Sequence, residues 1–164
     1  MGDQPNLHDY GAIFRHSAIS QWVEDISELR AVLDDLKRKG IVDIRSYLSE
    51  HADFVRHATE LVRVVDVNNA ALELYGTRNR DELLGPLVSA LDLDDWKTFA
   101  SIIQDIAAIF EGRSFLMKES RFLTSDGTRK DVMIYSYFPP DLGVSPYMMV
   151  SLIDITEQRT VERE

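Results

Sequence analysis

The sequence contains no cysteine, and this one absence removes disulfides, thiolate metal sites and cysteine nucleophiles together. Long apolar runs are also missing. No stretch approaches the roughly 20 residues that a membrane-spanning helix needs, and the polar N-terminus has none of the apolar core of a secretory leader. Positive charge is scarce as well: 18 Lys and Arg face 28 Asp and Glu, a net charge of -10. A nucleic-acid surface would need a basic patch that this balance does not supply. The one dense basic run, Lys37-Arg38-Lys39, closes an acidic helical segment, where cations complement the helix dipole. These absences set the expectation of a cytoplasmic chain with no membrane span in this segment and no nucleic-acid partner.

What is present suits one compact domain. The 164 residues are 45% apolar and 28% charged, enough to bury a substantial core. No internal repeat or dividing linker interrupts them. Residues 8–16 carry Tyr10, Ile13 and Phe14 at helical spacing, and residues 19–26, with Trp22 and Val23, suit a strand. Leu29, Val32, Leu33 and Leu36 form a helical stripe after Ser27 that ends at Gly40. Two more helical pieces follow, with Ile44, Tyr47 and Leu48, then Phe54, Val55, Ala58 and Leu61. Residues 62–67 suit a second strand. Asn68 is placed to cap a short helix closed by Gly76, and Asn79 with Glu82 has the spacing of a capping box.

The longest helix is expected from an Asp94 cap through Trp96, Phe99, Ile102, Ile103, Ile106, Ile109 and Phe110 to Gly112. Segments 114–124 and 129–138 flank Asp126-Gly127, a strong hairpin signal. A loop is expected at Pro139-Pro140-Asp141-Leu142-Gly143. The nearly continuous apolar segment 147–155 suits a central strand covered on both faces. The order predicts an α+β domain: one five-stranded antiparallel sheet with helices packed on one face and a cavity beneath the long helix.

Four segments carry a resemblance: Ile13-Phe14-Arg15-His16-Ser17, Val67-Asn68-Asn69-Ala70-Ala71-Leu72, Arg80-Asp81-Glu82-Leu83-Leu84-Gly85, and Asp126-Gly127 followed by Asp154-Ile155-Thr156-Glu157. In order and spacing the chain resembles a PAS domain, with an extra helical insertion at 27–61 between its first two strands. The resemblance implies a PAS domain over 19–155, a capping helix over 1–18 and the start of a signalling helix over 156–164. It also implies a sensor input fused to a histidine kinase of a two-component system, a diguanylate cyclase of the GGDEF type or another output domain. In PAS proteins a motif like Asp154 and Thr156 couples sheet movement to the exit helix. Here Thr156 is expected to cap that helix and Asp154 to accept from a donor such as Arg159.

A small-molecule ligand is expected between the long helix and the sheet. Its contacts are expected among Trp22, Phe99, Ile103, Met117, Arg121, Met133, Tyr135, Met149 and Ser151. An inward Arg121 would call for an anionic partner, and a carboxylate ligand would supply one. The cofactor is left open. A flavin adduct needs a cysteine, and haem-binding relatives place on the long helix a histidine that 94–111 lacks. His8, His16, His51 and His57 read as surface or packing residues. A ligand-free homodimerisation module is the rival reading, favoured by exposed apolar residues on the first helix or the insertion. A small α+β isomerase is a third, for which Glu119 is the only obvious strand acid. Paired carboxylates such as Asp34-Asp35 and Asp94-Asp95 read as solvated helix positions, so no catalytic role is expected.

Overall fold

A computed structural model describes residues 2–139 and 145–164. Apart from Pro139, the loop expected at 139–143 lies outside the described residues. Helix α1 (Leu7–His16) opens on a capping box between Asn6 and Asp9 and leads into β1 (Ser20–Asp25). Helices α2 (Ser27–Arg38), α3 (Ile44–Glu50) and α4 (Ala52–Leu61) follow, then β2 (Arg63–Val67) and α5 (Asn69–Tyr75). After a 3-10 turn come the two-residue strand β3 (Gly85–Pro86), a second turn, and α6 (Trp96–Phe110). Strands β4 (Phe115–Leu123), β5 (Arg129–Tyr137) and β6 (Tyr147–Asp154) lead to α7 (Thr156–Arg163).

The strands form one six-stranded antiparallel sheet in the order β3-β2-β1-β6-β5-β4. The strand beyond the expected five is β3, which holds the edge with a proline, as edge strands tolerate. The last strand is central: Trp22 lies opposite Val150 on one side, and Ile134 opposite Leu152 on the other. It is not covered on both faces. Met148 and Leu152 are buried, while Tyr147 and Ile153 on the opposite face are exposed.

The core has two parts. Leu29, Leu33, Leu36, Ile44, Leu48, Val55 and Ala58 of the inserted helices pack with Ile102, Ile106, Ile109 and Phe110 of α6 and with Leu116 and Met148 of the sheet. On the other side Trp22, Val64, Val67, Ala71, Phe122, Val132 and Leu152 pack together, with the Trp22 and Phe122 rings edge to face at 5.9 Å. The inserted helices therefore pack beside α6 and reach the sheet near Glu24 and Met148.

One cap shifts by one residue from expectation: Asp95, not Asp94, caps α6, its Oδ2 accepting from the Thr98 amide at 3.3 Å. Helix α2 opens at Ser27 as expected, with Ile26 at its cap position and the Ser27 amide donating to Asp25 at 2.9 Å. Asn79 accepts from the Asp81 amide and its own amide donates to Thr77, so the expected box with Glu82 does not form. At the Asp-Gly hairpin, Gly127 takes φ 86°. The Asp126 carboxylate, receiving the Thr124 and Thr128 donors, is held at about 2.

Asn68 does more than cap. It is fully buried, and its Oδ1 accepts from Ala71 at 3.1 Å and from the Gln21 amide at 2.9 Å. Its Nδ2 donates to the Ile19 carbonyl at 2.8 Å. One side chain thus fastens α5 to the start of β1. Asn68→Ala leaves these buried groups without partners and should cost about 2–4 kcal/mol in urea unfolding; a loss under about 0.5 kcal/mol would contradict this account.

Candidate functional site

Between α6 and the sheet lies a cavity of about 70 Å³. Trp22, Ile102, Phe122, Ile134, Val150 and Leu152 give it apolar walls, and Glu24, Ser101, Asp105 and Ser120 line it with polar groups. Alternation explains the mixture. Ser20, Trp22 and Glu24 share the inner face of β1, and Leu116, Lys118, Ser120 and Phe122 share the inner face of β4. From α6 the residues toward the cavity are Thr98, Ser101, Ile102 and Asp105, at the i, i+3, i+4, i+7 positions of one stripe.

An ionic cluster spans the layers. Lys118, with 3% of its side chain exposed, donates to Asp105 Oδ2 at 2.6 Å and to the Ser101 carbonyl at 2.6 Å. Ser136 of β5 donates to Asp105 Oδ1 at 3.2 Å. Glu24 faces the same space at 6% exposure, and no donor among the described residues reaches its carboxyl. Burial, reinforced by the negative charge of Asp105 and opposed by Lys118, raises the Glu24 carboxyl to about 8. Burial lowers the Lys118 ammonium, with Asp105 and Glu24 acting against that fall.

The placement of the expected ligand contacts divides sharply. Trp22 and Arg121 line the cavity. Arg121, on the edge strand, already has its anion: Nη1 sits 2.7 Å from Asp95 Oδ1, and the guanidinium lies over the Trp96 ring at 5.9 Å. Burial tends to raise Asp95, but the donors from Arg121 and Thr98 outweigh it and hold the carboxyl below its ordinary value. Phe99 and Ile103 do not line the cavity. They pack into the part of the core built with the inserted helices, and Arg56 of α4 lies over the Phe99 ring at 5.7 Å. Met117, Met133, Tyr135, Met149 and Ser151 alternate with the cavity-lining residues and lie on the sheet's outer face, where Met117 is 55% exposed. Glu119 is on that face too, ion-paired with Arg159 of α7.

Sequence reasoning missed Glu24, Ser101, Asp105, Lys118 and Ser120, because it sought the cavity among the most apolar residues. A signal was available: Trp22 and Phe122 mark the inner face, and counting by twos from them reaches Glu24, Ser120 and Lys118.

The exit of β6 forms a second polar arrangement. Thr156 is the first residue of α7, not its cap; Ile155 holds that position without a side-chain bond. The Thr156 hydroxyl donates to Asp154 Oδ1 at 2.6 Å and accepts from the Asp131 amide of β5 at 3.0 Å. Asp154 also accepts from the Thr156 amide at 3.0 Å and from Lys130 at 3.2 Å, while Arg159, its expected donor, goes to Glu119. Partial burial raises Asp154, but these donors outweigh it and the net shift is downward. Arg163 reaches Asp131 at 3.3 Å. The first turns of α7 are thereby pinned to β5 and β4.

Among the described residues no group of His, Asp and Glu is arranged to hold a metal ion, and no helix is long and apolar enough to cross a membrane. His51 stacks on Tyr47 at 3.9 Å, and His57 sits 3.5 Å from Glu60.

Glu24 makes stability depend on pH. Its folded value of about 8 lies above the ordinary 4.5, so the native state holds a proton that the unfolded chain releases. Stability should be full below pH 4.5 and decline toward pH 8, by up to about 1.4 kcal/mol per unit. Glu24→Gln should flatten this slope in urea titrations across the window; an unchanged slope would place the Glu24 carboxyl in water.

No protein-family model and no curated protein matches the sequence. Solved structures do. The PAS domain of a protein from Colwellia psychrerythraea superposes with a TM-score of 0.59 at 16% identity, covering 92% of this chain and 98% of that one. A domain of a sensory box sensor histidine kinase/response regulator from Geobacter sulfurreducens gives 0.52 at 18%, covering 93% and 100%. The LOV domain of a blue-light activated histidine kinase from Erythrobacter litoralis gives 0.54 at 13%, covering 84% and 96%. Agreement of sheet, long helix and connectivity at such low identity is agreement of architecture: the chain has the fold of PAS domains.

Proposed function

We propose that this chain is the sensory input module of a signal-transduction protein, holding a small molecule between α6 and the sheet and passing the signal through β6 into α7. One observation carries the reading. The central strand lines the cavity with Val150 and Leu152 and, within two residues, enters the Asp154–Thr156 linkage that anchors α7. A guest that favours one packing of β6 biases the attachment of α7, provided its affinity differs between the two packings. The output partner fitting this role is a C-terminal domain such as a histidine kinase or a diguanylate cyclase. The sensor-kinase origin of two of the similar structures supports that choice. The module itself is non-catalytic in this reading: Asp105 is committed to Lys118 and Ser136, and Glu119 faces away from the cavity.

Amide hydrogen exchange tests the path. Partly filling the cavity with Ala90→Phe should change protection along β6 and α7 while leaving β2 unaltered. Asp154→Ala combined with Thr156→Val should speed exchange in α7 by about tenfold or more. Unchanged exchange in α7 when the cavity is filled would sink the proposal.

A second reading, homodimerisation, has its own observation. On the outer sheet face Phe115, Met117, Tyr137, Tyr147 and Ile153 are all exposed, and Tyr10 and Ile13 of α1 are exposed as well. Apolar residues of the inserted helices are largely buried and contribute little to such a surface. Sedimentation of the wild type should show a dimer that Met117→Glu with Tyr137→Lys dissociates; a wild-type monomer at high concentration removes this reading.

A further inference from the structure

The geometry points to a cationic guest: the cavity takes a small organic ammonium ion with a short hydrocarbon body, its charge received by the carboxyls of Glu24 and Asp105. This rests on the reading of the cavity as a ligand site and names the chemistry of its occupant.

Charge counting comes first. Around the cavity and its mouth stand three acids, Glu24, Asp105 and Asp95, and two cations, Lys118 and Arg121. Arg121 is paired with Asp95, and Lys118 with Asp105. The acid left over is Glu24, 6% exposed and lining the cavity, with no donor among the described residues on its carboxyl. Buried polar groups are normally partnered, so an unmatched carboxyl aimed into a cavity marks where a ligand donor belongs.

The sign of that ligand follows from the neighbours. A carboxylate guest would bring a further negative charge against Glu24 and Asp105, and both strong cations already have partners. A neutral alcohol could satisfy a hydrogen bond, yet it would bring no counter-charge and leave Glu24 in its protonated form. An ammonium lets Glu24 ionise beside Asp105 and brings donors for its carboxylate. The walls set the rest of the guest. Trp22, Ile102, Phe122, Ile134 and Val150 accept hydrocarbon, and about 70 Å³ limits its size, well under the roughly 300–1,000 Å³ of ordinary small-molecule pockets.

Binding is then coupled to a proton. The groups facing Glu24 are Asp105 from α6 and Lys118 from β4, with Arg121 and Asp95 paired at the mouth. The residues presented by α2, α4, β5, β6 and the turn after β3 are uncharged. An empty cavity near neutral pH keeps Glu24 protonated, so an arriving ammonium displaces that proton. Affinity should rise as pH climbs toward 8.

The test is calorimetry and thermal unfolding of the whole chain with n-butylammonium, n-butanol and butyrate. We expect saturable binding of n-butylammonium alone, with proton release measured in buffers of different ionisation heat. Glu24→Gln, which keeps the shape and removes the charge, should weaken it by at least about tenfold. Binding of butanol or butyrate with butylammonium silent would overturn the cationic assignment and leave the ligand cavity standing. Butylammonium binding that Glu24→Gln does not alter would place it on the acidic surface and also overturn the assignment. If none of the three binds, and Ala90→Phe leaves β6 and α7 exchange unchanged, both the assignment and the underlying reading fail.

Discussion

The ion pair between Lys118 and Asp105 is the contact on which the arrangement of layers turns. A lysine buried under a helix is costly unless a carboxylate and further acceptors meet it, and here Asp105 and the Ser101 carbonyl do so from α6 while Ser136 steadies Asp105 from β5. Hydrophobic packing alone would let α6 slide over the sheet. A charge pair with directional bonds to two strands fixes its register and rotation, and so determines which stripe of the helix faces inward.

That rotation separates what the sequence disclosed from what it concealed. The Asp126-Gly127 hairpin, the Asn68 cap, the long helix and the central position of the last strand follow from local chemistry and periodicity, and all appear in the fold. The cavity did not follow. Phe99 and Ile103 are more apolar than Thr98 and Ser101, yet α6 is packed on two sides, and its most apolar stripe meets the inserted helices. In β6, Tyr147 to Ile153 is apolar at almost every position, so hydrophobicity could not tell Met149 and Ser151 from Val150 and Leu152. Only pairing against Trp22 settles the parity.

The exit of the domain is built from bonds with little apolar support. No residue of α7 is buried, and its hold on the sheet consists of the Thr156 linkage and the ion pairs of Arg159 and Arg163. In the proposed reading, such an attachment is weak enough to be shifted by a change in β6 and specific enough to have one geometry. Asn68 gives the start of β1, which lies beside the exit of β6, a buried polar anchor.

The three helices inserted between β1 and β2 have a mechanical corollary. With α2, α3 and α4 packed against it, α6 is held by more than the sheet beneath it. The more lightly covered wall is the sheet, whose outer face leaves Phe115, Met117, Tyr137, Tyr147 and Ile153 exposed and meets α7 through the Glu119–Arg159 pair. In the proposed reading, swelling of the interior is taken up as a change in sheet curvature, which reaches α7 where the middle strand leaves.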